Sequence, residues 1–92
     1  MYKTIELLDM VKDRYDLPSD YALAKKLGIT RGAISNFRNT KSFLSTENAY
    51  NIAKLLYLSP MFVVASVEYE RAVFYENEDM KTLWKQAAHD AK

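Results

Sequence analysis

The sequence predicts an all-α fold of five to six helices in one chain of 92 residues. Three observations predict it. Apolar residues recur three and four positions apart through most of the chain, with charged residues between them. Glycine and proline occur only twice each, and Pro18, Gly28 and Pro60 fall where periodic segments meet. No segment alternates convincingly with period two. The stretch "MFVVASVEY" is β-branched enough to read either way, but Pro60 at its head favours a helix.

The first segment, about residues 3–15, places Ile5, Leu8, Val11 and Tyr15 at helical spacing and reads as an amphipathic helix. "DLPSDY" interrupts it, because Pro18 disfavours helical geometry at Leu17 and Ser19 can accept a hydrogen bond from the open amides of the next helix. That second helix, about residues 20–27, turns Leu23, Ala24 and Leu27 inward and stops at Gly28, which tolerates a left-handed conformation. Thr30 caps the third, with Ile34 and Phe37 three apart on its inner face. Ser45 opens the fourth, in which Ala49, Ile52, Ala53 and Leu56 form one stripe, and Ser59 followed by Pro60 opens the fifth. The sixth, about residues 78–91, repeats Met80, Leu83, Trp84, Ala87 and Ala88.

Absence of cysteine excludes disulfides and thiolate metal sites. The N-terminal segment "MYKTIELLDMVKDRY" lacks the continuous apolar run of a signal peptide or a membrane span, so a cytoplasmic protein without a membrane partner is expected. Net charge is only +1, but it is unevenly spread. Residues 1–44 hold eight Lys/Arg against five Asp/Glu, whereas residues 45–92 hold five against seven. Between Asp20 and Glu47 lie five cations and no acid, a segment that would attract a phosphate backbone. The same window is also compatible with a solvated basic surface.

Within it, "LAKKLGITRGAISNFRN" packs several constraints into few residues. Ala24 is small where two helices would cross, Gly28 makes a sharp turn, and Leu23, Leu27, Ile29, Ile34 and Phe37 are spaced to share a core. The stretch resembles the phage-repressor helix-turn-helix family, the lambda-repressor-like, Xre-like or Cro-type proteins. Ser45 to Ser59 is similar to that family's following helix, "LSPMFVV" looks like the start of its fifth, and the likeness spans roughly residues 3–70. It implies a helix-turn-helix domain over residues 1–70, with residues 71–92 a helical extension of the same domain. It further implies a sequence-specific regulator of transcription, in particular a phage or mobile-element repressor that binds a pseudo-palindromic operator in double-stranded DNA as a homodimer. Carried over position by position, it makes Arg31, Gly32, Ala33 and Asn36 base-reading candidates, with Ser35 beside them. Asn39 and Lys41 become phosphate candidates, flanked by Ser19, Tyr21, Arg38, Thr40 and Ser42. In chemical terms Arg31 can present a fork to guanine and Asn36 can pair with adenine. Lys41 and Asn39 would fix register without reading sequence. Gly32 and Ala33 leave the front of the helix small enough for close approach to a groove floor, at a cost of about 1 kcal/mol in helix propensity relative to alanine. Arg38 has two partners open to it, a phosphate or an acid such as Asp20. The family often has glycine just after this helix, where this chain has Thr40, so Asn39 is expected to take the left-handed cap.

The tail carries more apolar surface, at Phe74, Tyr75, Met80, Leu83 and Trp84, than a helix added to a finished fold needs. Either it closes the core or it meets a partner. On the second reading Met61, Phe62, Val64 and Trp84 contribute to a homodimer with recognition helices about 34 Å apart. A protein-interaction module or an antitoxin of the same fold, contacting a protein through the C-terminal helices, is the alternative function. No enzyme and no cofactor are expected. The one histidine, His89, cannot make a metal site by itself. Glu68 and Glu70, or Glu76, Glu78 and Asp79, read better as solvated acids than as an acid/base pair.

Overall fold

The computed structural model describes residues 1–92 as six helices and no strand: α1 Thr4–Arg14, α2 Asp20–Leu27, α3 Arg31–Arg38, α4 Thr46–Leu56, α5 Pro60–Phe74 and α6 Glu78–Asp90. None of them is long and apolar enough to cross a membrane. The starts are set by local chemistry. The hydroxyls of Ser19, Thr30, Ser45 and Ser59 each accept the amide hydrogen of the residue three further on, at 3.0 to 3.3 Å, and Asn77 Oδ1 does the same for α6.

The stops share one device. Five helices end on a residue of positive φ, at Asp16, Gly28, Thr40, Tyr57 and Glu76, and only one of these is glycine. In each case two consecutive amides turn back on the last carbonyls. After α3, for example, Thr40 N–H donates to Phe37 O (3.2 Å) and Lys41 N–H to Asn36 O (2.9 Å). Here the structure corrects an expectation: Asn39 keeps φ −92°, and β-branched Thr40 takes the left-handed position at φ 59°. Asn39 is held otherwise, because its Nδ2 donates to Ser35 O at 2.9 Å.

Leu7, Leu8, Val11, Leu23, Ile34, Leu44, Ile52 and Val63 are among the 14 residues of the main core, to which α1 to α5 contribute and α6 does not. The stripe of α4 is as the spacing predicts, with Ala49, Ile52, Ala53 and Leu56 all buried. That of α1 holds in part: Leu8 and Val11 are buried as the spacing predicts, but Thr4 and Leu7 complete the stripe in place of Ile5, which is exposed, and Tyr15, which is only half-buried. The reason is tertiary. Glu70 of α5 accepts from both Thr4 N–H (2.9 Å) and Thr4 Oγ1–H (2.7 Å), which caps α1 from a distance and turns Thr4 inward. Helix α6 packs chiefly on α5. Ala65 and Ala72, seven apart and buried outside the main core, mark the stripe beneath it, and Ala88 is its one buried residue. Met80 and Leu83 of the apolar repeat stay exposed.

Candidate nucleic-acid interface

The site begins with the turn Gly28-Ile29-Thr30. Gly28 at φ 69° closes α2, Ile29 N–H returns to Ala24 O (3.0 Å), and Thr30 caps α3 through Ala33 N–H (3.0 Å). Ile34 and Phe37 anchor α3 to the core, with Ala24 and Leu23 buried opposite. Leu27 and Ile29 pack against this core while only half-buried. The helix therefore presents its other side outward: Arg31, Gly32, Ser35, Asn36 and Asn39 are all exposed, and their spacing places them on one face. Ala33 lies at its edge, half-buried against the core. A Cβ added at Gly32 would meet only Thr30 Oγ1, at 3.8 Å, so packing does not require glycine there.

The flanking groups differ in how far they are engaged. Tyr21 is exposed and carries two cations over its ring, Lys25 and Arg31, each 5.4 Å from the centroid. Ser19 Oγ is taken up by the α2 cap, Ser42 is half-buried, and Lys41 is exposed and forms no ion pair. Of the two partners open to Arg38, the structure shows the acid. Its Nε and Nη2 donate to the two carboxylate oxygens of Asp20 (3.3 and 3.0 Å), and Nη1 lies 2.7 Å from Asp9. Lys12 joins the same carboxylate at 3.3 Å. The hydrogen bond from Arg38 holds the Asp20 carboxyl below its ordinary pKa against the opposing effect of burial, and the Arg38 pKa is raised by the same bond. This cluster ties the end of α3 to α1 and to the start of α2. Sequence reasoning named Asp20 but missed Asp9. The signal was the spacing of Asp9, Asp13 and Asp16, acids three and four apart in the last turns of α1 and just beyond it, which line one depression together with Lys12.

The four residues assigned to a dimer contact are unevenly exposed. Met61 is 56% exposed, whereas Phe62 sits edge-on to Tyr2 (5.7 Å), and Val64 and Trp84 are half-buried. A larger exposed apolar run lies elsewhere, at Val73, Phe74, Tyr75, Met80 and Leu83. Phe74 stacks edge-on between Phe43 and Tyr75, beside a groove of about 580 Å³ that Ile5 and Val73 also line.

No model of a known protein family matches the chain, and no solved structure does. It is 33% identical over 88 residues to the uncharacterized protein Gp-c of Pseudoalteromonas phage PM2, an alignment that covers 91% of this chain and 92% of the phage protein. The chain belongs to the family of that protein.

Proposed function

We propose that this member of the phage Gp-c family is a sequence-specific DNA-binding regulator of lambda-repressor-like type, in which α2, the Gly28 turn and α3 form a helix-turn-helix and α3 enters the major groove. One observation carries the reading. Arg31, Gly32, Ser35 and Asn36 share a solvent-facing side of a short helix whose packing leaves room for a side chain at Gly32. A close approach to base edges gives that empty position a use. Arg31 reads guanine, Asn36 reads adenine, and Lys41 with the α3 end holds the backbone. Arg38 serves by fixing the helix to Asp20 and Asp9 instead of meeting phosphate. Two copies bind a pseudo-palindrome as a repressor of a phage or mobile element, in the cytoplasm. Residues 1–70 form the binding unit, and residues 71–92 extend it.

The test is binding to fragments of the upstream region of the protein's own gene at two salt concentrations, with competitor DNA. Specific binding survives competitor and weakens steeply with salt. If affinity is equal for all fragments, the reading fails. A second reading, a protein-interaction module or antitoxin, is favoured by the exposed run Val73, Phe74, Tyr75, Met80 and Leu83, and by the acids Asp9, Asp13 and Asp16 that line a depression next to Arg38.

A further inference from the structure

The thirteen Lys and Arg residues divide in a way that the α3 face does not explain. Lys12, Arg38, Arg71 and Lys81 pair with carboxylates. Five others pair with no acid and lie over tyrosine rings. Besides Lys25 and Arg31 on Tyr21, these are Lys26 over Tyr15 (4.3 Å), Arg14 over Tyr57 (4.7 Å) and Lys54 over Tyr50 (5.6 Å).

The last three pairs adjoin one another. Lys26 and Lys54 line a cleft of about 290 Å³ between α2 and α4, together with the amides of Asn48 and Asn51 and with no acid. Tyr15 O–H donates to the carbonyl of Leu55 in the cleft wall (2.8 Å), and Arg14 precedes Tyr15 in the chain. Tyr57 is 79% exposed and Tyr50 46%, so each ring keeps open surface although one cation lies over it. Asp13 and Asp16, near in sequence, line a separate depression with Asp9 and Lys12, and Glu47 lies about two turns from Lys54 along α4.

Cations interleaved with exposed aromatic rings meet two needs of one ligand. The cations hold phosphates, and the rings stack on unpaired bases. A duplex hides its base faces, and an acidic peptide has none to offer. We propose that the face formed by the end of α1, α2 and α4 binds a single strand of nucleic acid, its phosphates on Arg14, Lys26 and Lys54 and its bases against Tyr50 and Tyr57. The Asn48 and Asn51 amides in the cleft can bond base or sugar groups without demanding one sequence. This site is separate from α3 and does not rest on the duplex reading.

The experiment is fluorescence anisotropy of the full chain with a labelled oligo-dT of about 15 nucleotides. Three phosphate contacts predict that affinity falls about 20-fold between about 50 and 200 mM salt. The triple variant Arg14→Gln, Lys26→Gln, Lys54→Gln should bind at least about tenfold more weakly at low salt and with a flatter salt dependence. Tyr57→Ala should weaken binding about five- to 150-fold, with Tyr57→Phe close to wild type. Circular dichroism checks that each variant is folded; if the triple variant is not, Lys54→Glu alone carries the charge test. Arg31→Ala should leave oligo-dT binding unchanged, whatever it does to duplex. The proposal is overturned by no binding at low salt, by undiminished binding of the charge variants, by loss on Arg31→Ala alone, or by equal competition from polyglutamate.

Discussion

Gly32→Ala separates stability from recognition more cleanly than any other single change in α3. Gly32 is the second residue of the helix and fully outward. A Cβ built there lies 3.8 Å from Thr30 Oγ1, an ordinary van der Waals distance, and within 4 Å of nothing else. Alanine therefore removes the entropy cost of glycine without a steric cost. In a helix interior that difference is about 1 kcal/mol. In the first turn, where the amide has no partner within the helix, we take roughly half of it as the lower bound. A gain of about 0.5 to 1 kcal/mol raises Tm by roughly 2 to 8 °C in a chain of this size. Thermal and urea denaturation followed by circular dichroism measure it, with an unchanged urea m-value expected. Duplex binding should move the other way, since a methyl placed between α3 and the groove floor lowers operator affinity or shifts base preference, and Gly32→Gln does so more strongly. A destabilised Gly32→Ala would refute the packing argument. A stabilised variant with unchanged affinity and preference would refute close docking.

Arg31→Ala should cost about 1 to 3 kcal/mol of operator affinity and relax the choice at one base pair, whereas Lys41→Ala should weaken all sequences alike and lower the salt slope by about one; footprinting on operator variants tells the two apart. Asp20 carries a pH signature. Its folded pKa is depressed, chiefly by the hydrogen bond from Arg38, so its contribution is present above the unfolded value of about 4 and is lost as pH falls through the lower folded value. Asp20→Asn should thus be less stable than wild type at pH 7 by about 1 kcal/mol, a figure reduced for the 43% exposure of the side chain, and the gap should close in acid; a gap constant with pH would remove the ion pair from the account. Thr40→Gly relieves a β-branched residue at φ 59°, with a net gain of about 0.5 to 1 kcal/mol after the entropy of glycine is counted, and a loss in calorimetry would mean that contacts of the threonine side chain outweigh the strain. Glu70→Ala should cost about 1 to 2 kcal/mol in urea denaturation by opening the α1 cap, with Glu70→Gln recovering part of it.

The caps at Ser19, Thr30, Ser45 and Ser59 and the stop at Gly28 were readable in the sequence, because each joins groups within a few positions along the chain. The stripe of α4 was readable for the same reason. On α1 the spacing finds Leu8 and Val11 but puts Ile5 where Thr4 is buried, since Thr4 is drawn inward by Glu70, 66 residues away. At the end of α3 the left-handed position falls to Thr40 and not to Asn39, although asparagine is the commoner occupant, and the return of the Thr40 and Lys41 amides to Phe37 O and Asn36 O shows the choice.

The sequence by itself determined the all-α class, the starts of the second to fifth helices and the outward set on α3, since helical hydrogen bonds reach only four residues and leave their mark as spacing. Tertiary structure decided the electrostatics. The stretch between Asp20 and Glu47 contains no acid as a string, yet folding brings Asp9 and Asp20 onto Arg38. The same folding lifts Lys26 onto Tyr15 and Arg14 onto Tyr57, in pairs that span 11 and 43 residues of sequence. Charges act through space, so which cations remain without an acid partner follows from how the helices cross.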